Sequence, residues 1–186
     1  MRAARRPHRK RRKRARGDRG VSLRLMVRKP DGTPQGALRA ALKFLGYCPR
    51  SEAEVQARLK QLAFPQNIIE TTLEKLRSLN LLNDETFARN WILGRVEGRG
   101  YGPLRVEREL RQKGIAQAVI RQVMGETFGQ GEGKEKARTL LERRFRGKDL
   151  GDRKVLHRAI AFLQRRGYRD SVIGEILSDS RKFFFE

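Results

Sequence analysis

The sequence predicts an all-α chain, an elongated array of three tandem three-helix repeats behind a disordered basic N-terminal tail. Three observations carry that prediction. From residue 37 onward apolar residues recur at helical spacing, and no alternating run of useful length marks a strand. One pattern can be laid over itself three times: "RLKQLAFPQNIIETTL" (58–73), "ELRQKGIAQAVIRQVM" (109–124) and "FLQRRGYRDSVIGEIL" (162–177), at offsets of 51 and 53 residues, the kind of period that marks a repeated supersecondary unit. At one place in each copy stands a small residue, Ala63, Gly114 or Gly167, followed by Phe64, Ile115 or Tyr168. That is a helix, a sharp stop and an apolar residue folding back over the turn.

The elements follow in order. Residues 1–36 read as basic disordered tail and linker, with 14 Lys/Arg against Asp18 and Asp31 and too little apolar surface for a core. Within them "VSLRLMVRK" (21–29) is a short strand or helix at most, "PDGTPQG" (30–36) is a linker, and Met26 offers an alternative start. The opening stretch has no apolar segment of the kind a secretory signal needs. Repeat 1 (37–83) starts with "ALRAALKFLGY" (37–47), and Ser51 with Glu54 gives a capping-box signature for its second helix. Ala63 stops that helix where glycine is expected, a cost of about 1 kcal/mol if the residue is left-handed. Pro65 suits the first turn of the next helix.

In repeat 2 (84–128), Asp84 is expected to cap "ETFARNWILGRVEG", whose Phe87, Ala88, Trp91 and Ile92 make one apolar face. Gly102-Pro103 opens the second helix and Gly114 ends it. In repeat 3 (129–186), Ala137, Leu140, Leu141 and Phe145 lead, and Asp152 starts "DRKVLHRAIAFLQRR". The closing "RKFFFE" is read as packing back on the last helix, with an exposed docking peptide as the alternative. A unit of this size has little core of its own, so neighbouring units are expected to pack on one another.

Charge is the strongest global signal, a formal +23. The tail supplies about half of it, yet residues 37–186 still hold 30 Lys/Arg against 19 Asp/Glu. Such a field favours polyanionic partners. Within it, Arg105, Arg108 and Arg111 project away from the face of Val106 and Leu110, Arg95 and Arg99 precede them and Lys113 closes the helix. Repeat 3 adds "RRFRGK" (143–148) and Arg165, Arg166 and Arg169 in "RRGYR". These nine residues, Arg95, Arg99, Arg105, Arg108, Arg111, Lys113, Arg165, Arg166 and Arg169, are the candidate contacts, acting by phosphate neutralisation rather than base reading.

Little else suggests chemistry. "FGQGEGKE" (128–135) has Phe128 and Glu135 where a phosphate-binding loop needs glycine and Ser/Thr, and no strand precedes it; it reads as a flexible linker. His8 and His157 lack partners at ligand spacing, and the carboxylates scatter among basic residues as solvated charge. Cys48 is the only cysteine, so neither an intrachain disulfide nor a cysteine zinc cluster can form, which fits the cytoplasm. No apolar run is long enough to span a membrane. Catalysis, a cofactor and a metal are not expected, and a monomer is the simplest state for an array with open ends.

With "LLNDETFA" (81–88), "GPLRVERELRQKGI" (102–115) and "FLQRRGY" (162–168) in this order and spacing, residues 37–179 resemble the RecX family of bacterial recombinase regulators. The resemblance implies tandem three-helix repeats and binding to RecA in the groove of its filament on DNA. There the family restrains filament growth, ATP hydrolysis, strand exchange and the co-protease activity that triggers the SOS response. Single-stranded DNA or its phosphate backbone is the secondary partner. A stand-alone basic helical nucleic-acid-binding protein is the alternative.

Overall fold

The computed structural model describes residues 31–129 and 131–183. Among them there are nine helices and no strand. Repeat 1 holds α1 (Pro34–Leu45), α2 (Glu52–Gln61) and α3 (Gln66–Ser78); repeat 2 holds α4 (Asp84–Arg99), α5 (Pro103–Gln112) and α6 (Gln117–Phe128); repeat 3 holds α7 (Glu132–Phe145), α8 (Arg153–Arg166) and α9 (Asp170–Phe183). The helices of each repeat pack on one another, and α6 packs on α7 across a boundary. Three separate apolar clusters result, one per repeat, strung into an elongated array. Leu59, Leu110 and Leu163, equivalent by sequence, are each fully buried at the centre of their own cluster, which stabilises each by roughly 1.5–3 kcal/mol relative to an exposed side chain. The expectations for residues 1–30 and for the packing of the terminal phenylalanines lie outside what is described.

The three turns between second and third helices are built alike. The N–H of Ala63, Gly114 and Gly167 donates to the carbonyl of Lys60, Arg111 and Gln164, each at 2.9 Å. The following N–H of Phe64, Ile115 and Tyr168 donates to Leu59, Leu110 and Leu163, each at 3.2 Å. This pair of bonds is the Schellman closure, which requires a left-handed residue. Accordingly φ is +60° at Ala63, +75° at Gly114 and +87° at Gly167.

Caps follow the sequence with one correction, and two element bounds move. Ser51 and Glu54 form the reciprocal capping box, Gly102 with Pro103 opens α5, and Asp152 caps α8. The cap of α4, however, is Asn83 and not Asp84: the Asn83 side chain accepts the Thr86 N–H at 2.9 Å. Released from capping, the Asp84 carboxylate accepts the Glu52 N–H at 2.8 Å and ties the two repeats together. The supposed linker 128–135 is mostly helical, since α7 begins at Glu132. At the other end α1 starts at Pro34, capped by the Thr33 hydroxyl.

The second helices of the repeats meet end to end. At the joint between repeats 2 and 3, the carbonyl end of α8 faces the N–H end of α5: Gly102 N–H donates to Arg166 O at 2.7 Å and Leu104 N–H to Gly167 O at 3.0 Å. The unpaired donors of one helix thus meet the unpaired acceptors of another, with their dipoles head to tail. At the joint between repeats 1 and 2, the carbonyl of Lys113, after α5, accepts the hydroxyl of Ser51, the cap of α2, at 2.6 Å.

Candidate interaction surface

The joints sort the nine candidate cations into two sets. Arg95, Arg105, Arg111 and Lys113 are engaged by carboxylates. Glu109, with its side chain 19% exposed, accepts from Arg95 Nε at 2.6 Å and from the Trp91 indole at 3.1 Å, and Arg105 Nε lies 3.5 Å away. Lys113 pairs with Glu54 at 2.7 Å across the first joint, and Arg111 pairs with Glu107 one turn back. Arg95 and Lys113 also sit over the Trp91 ring, 3.9 and 4.7 Å from its centroid, where the face of the indole attracts cations.

Arg99, Arg108, Arg165, Arg166 and Arg169 have no carboxylate within ion-pair distance among the described residues. Four of these, Arg99, Arg108, Arg165 and Arg169, are exposed. The second joint gathers them. Arg166 donates to the carbonyl of Arg99 and lies over the Phe162 ring at 4.6 Å. Arg105 donates to the carbonyl of Arg165 at 3.1 Å and covers Tyr101 at 3.8 Å. The Arg99 carbonyl positions the Arg166 guanidinium without neutralising it, and Arg99, Arg108, Arg165 and Arg169 have no carboxylate beside them among the described residues, so net positive charge stays on this stretch of surface. Arg108 stands one turn further along α5, and Arg169 follows the α8 turn.

The solvated-charge reading of the carboxylates fails at Glu54 and Glu109. Burial pushes the Glu54 carboxyl up, but the Lys113 ammonium and the Ser51 N–H more than offset this and hold it below the ordinary value. Burial likewise raises Glu109, and Arg95, Trp91 and Arg105 bring it below. Asp84 is raised, because burial outweighs the N–H it accepts. The i,i+4 spacing of Arg105 and Glu109 was a visible signal for one of these contacts; the Lys113–Glu54 pair, fifty-nine residues apart, had none.

A groove of 360 Å³ crosses the second joint, floored by Val96, Leu140 and Tyr168 and rimmed by Glu97, Glu135 and Arg143. Its rim carries both signs of charge, so it does not select an anion. No group of three or more His, Cys, Asp or Glu side chains that could share a metal occurs among the described residues, and none of the described helices is long and apolar enough to cross a membrane.

Fold and surface together define a class: a tandem array of three-helix units that presents a basic face. Comparison with known proteins narrows it. The family models for the first, second and third three-helix domains of RecX match residues 37–76, 83–124 and 132–177. The chain is 34% identical over 159 residues to the regulatory protein RecX of Corynebacterium efficiens, covering 82% of this chain and 75% of that one. It is 31% identical over 145 residues to that of Trichlorobacter lovleyi, covering 77% and 94%. The crystal structure of RecX from Lactobacillus salivarius superposes with a TM-score of 0.67 at 23% identity, over 78% of this chain and 95% of that one, and so shares the fold. The chain belongs to the RecX family of regulatory proteins.

Proposed function

We propose that this chain regulates RecA, binding the RecA filament on DNA and restraining its growth, ATP hydrolysis, strand exchange and SOS co-protease activity in the cytoplasm, as a monomer. Family membership supports the regulatory role. The observation that carries the filament reading is the un-neutralised arginine set at the second joint, on an array long enough to engage several places of a repeating partner at once. Several modest contacts joined in one chain bind far more tightly than each alone, and the positive field speeds encounter with a filament that carries nucleic acid. The phosphate backbone of single-stranded DNA is a secondary partner for the same arginines.

The test is RecA's ATP hydrolysis on single-stranded DNA in excess, titrated with this chain. Inhibition well below one chain per RecA is expected. The double substitution Arg165→Glu with Arg169→Glu should weaken it roughly tenfold, equivalent to about 1.4 kcal/mol, with helicity unchanged. Inhibition that sets in only when the chain coats the DNA would instead identify a stand-alone nucleic-acid-binding protein.

A further inference from the structure

The two joints are made of different materials. Across the second run two backbone hydrogen bonds, Gly102 N–H to Arg166 O and Leu104 N–H to Gly167 O, and two guanidinium-to-carbonyl bonds, from Arg105 to Arg165 O and from Arg166 to Arg99 O. Apolar side chains of repeat 3 close over the backbone of repeat 2: a Cβ placed on Gly100 would meet Leu140 at 2.9 Å, and one on Gly102 would meet Tyr168 at 2.8 Å. Both of those side chains are buried. Helix α6 also packs on α7. None of these bonds across the joint has a carboxylate as acceptor.

Across the first joint there is no comparable helix packing. What crosses is the Lys113–Glu54 ion pair, the Ser51 hydroxyl on Lys113 O, the Glu52 N–H on the Asp84 carboxylate, and a small contact where Ala53 lies under Gly114. Two of the three polar links end on a carboxylate. Lys113 and Glu54 side chains are 25% and 22% exposed, so solvent and salt reach the pair. Around it stand Arg50, 3.7 Å from Glu54, and Arg77, paired with Glu52. These can take over the carboxylates if Lys113 lets go.

We infer that the first joint is a hinge latched by the Lys113–Glu54 pair, about which repeat 1 swings while repeats 2 and 3 move as one body. The device adapts the array to a partner's shape: the rigid pair sets the register and repeat 1 closes on it. This stands apart from the identity of the partner.

The chain carries its own reporters. Trp91, its only tryptophan, contacts Lys113 on the repeat 2 side, and Cys48, its only cysteine, is exposed on the repeat 1 side. A fluorophore on Cys48 of the full chain accepts energy from Trp91 across the latch. For the second joint, Gly174→Cys in a Cys48→Ser background places the label in repeat 3, at a position where a side chain meets nothing. Raising salt from about 0.1 to about 1 M shortens the screening length from ~10 to ~3 Å. The expected result is a loss of Trp91-to-Cys48 transfer, corrected for Trp91 emission without acceptor, and unchanged transfer to position 174. Glu54→Gln at low salt should reproduce the loss. Transfer to Cys48 that ignores both salt and Glu54→Gln, or equal losses at both labels, overturns the hinge. The salt titration uses the unsubstituted latch, so a poorly folding variant leaves the first arm decisive.

Discussion

The turn at Ala63 and the turn at Gly167 have the same two hydrogen bonds at the same lengths and the same left-handed backbone, yet one tolerates a methyl group and the other cannot. The difference lies in what stands beyond each turn. At Gly167 a Cβ would fall 2.5 Å from both the backbone nitrogen and the Cβ of Arg105, because α5 docks there. At Gly114 it would fall 2.4 Å from the Ala53 methyl, because α2 docks there. Ala63 is exposed, with no further unit against it among the described residues. Left-handed strain alone costs about 1–2 kcal/mol for a non-glycine residue, which a chain can carry. The glycines are required by the neighbour, and the turn merely prefers them.

This comparison can be broken in stages. Gly167→Ala is the largest expected effect, because turn strain adds to a collision with backbone that cannot move aside. Roughly 2–4 kcal/mol of stability should be lost, read as a shift in denaturant midpoint. Gly114→Ala should lose less, about 1–2 kcal/mol, since repeat 1 can yield around the intruding methyl; it should also lower Trp91-to-Cys48 transfer. If the two substitutions cost the same, docking does not set the requirement.

Acid distinguishes the joints further. Glu54 and Glu109 are held below their ordinary value of 4.5, so they contribute stability above that pH and lose it as pH falls through their lowered values. Asp84, raised above its usual 3.8, works in the opposite direction, since its protonation is favoured in the fold. Glu52, beside the Arg77 guanidinium, is lowered as well. With three lowered groups against one raised group, net loosening near Trp91 is expected below pH 4.5, seen as a change in its emission, while the second joint, whose hydrogen bonds end on carbonyls, holds. The smallest effect is Ala63→Gly, which relieves strain with nothing else to disturb. A gain of up to about 1 kcal/mol is expected, and a loss would show that Ala63 makes a contact the turn needs.

The architecture was legible because its signals are local. Ser51 with Glu54, Gly102 with Pro103, and the small residue before Phe64, Ile115 and Tyr168 each declare a helix end within a few residues. Asp84 was read as a cap from its place before the helix, but its neighbour Asn83 does the capping, and Asp84 is taken by the Glu52 N–H of another repeat, which no local signal announces. The same limit applies to the surface. Arginines at helical spacing could be picked out as outward-facing, but which were already neutralised depended on Glu54 and Glu109 reaching across helices. Lys113, read as a candidate contact, is paired with Glu54 across a joint, whereas Arg165 and Arg169 have no carboxylate beside them among the described residues.

The end-to-end order of the second helices runs against the order of the chain: α8 abuts α5, and α5 abuts α2. Each unit as it leaves the ribosome therefore has an unfinished edge that only later residues complete. Gly102 and Leu104 find their acceptors when Arg166 and Gly167 have been made, and Ser51 finds its own when Lys113 has. Domains generally form in order of synthesis, and here that order also closes the seams, each new unit sealing the one before it. The later of the two seams to close is the one that gathers the un-neutralised arginines, so the basic face is assembled only after Arg169 has been made.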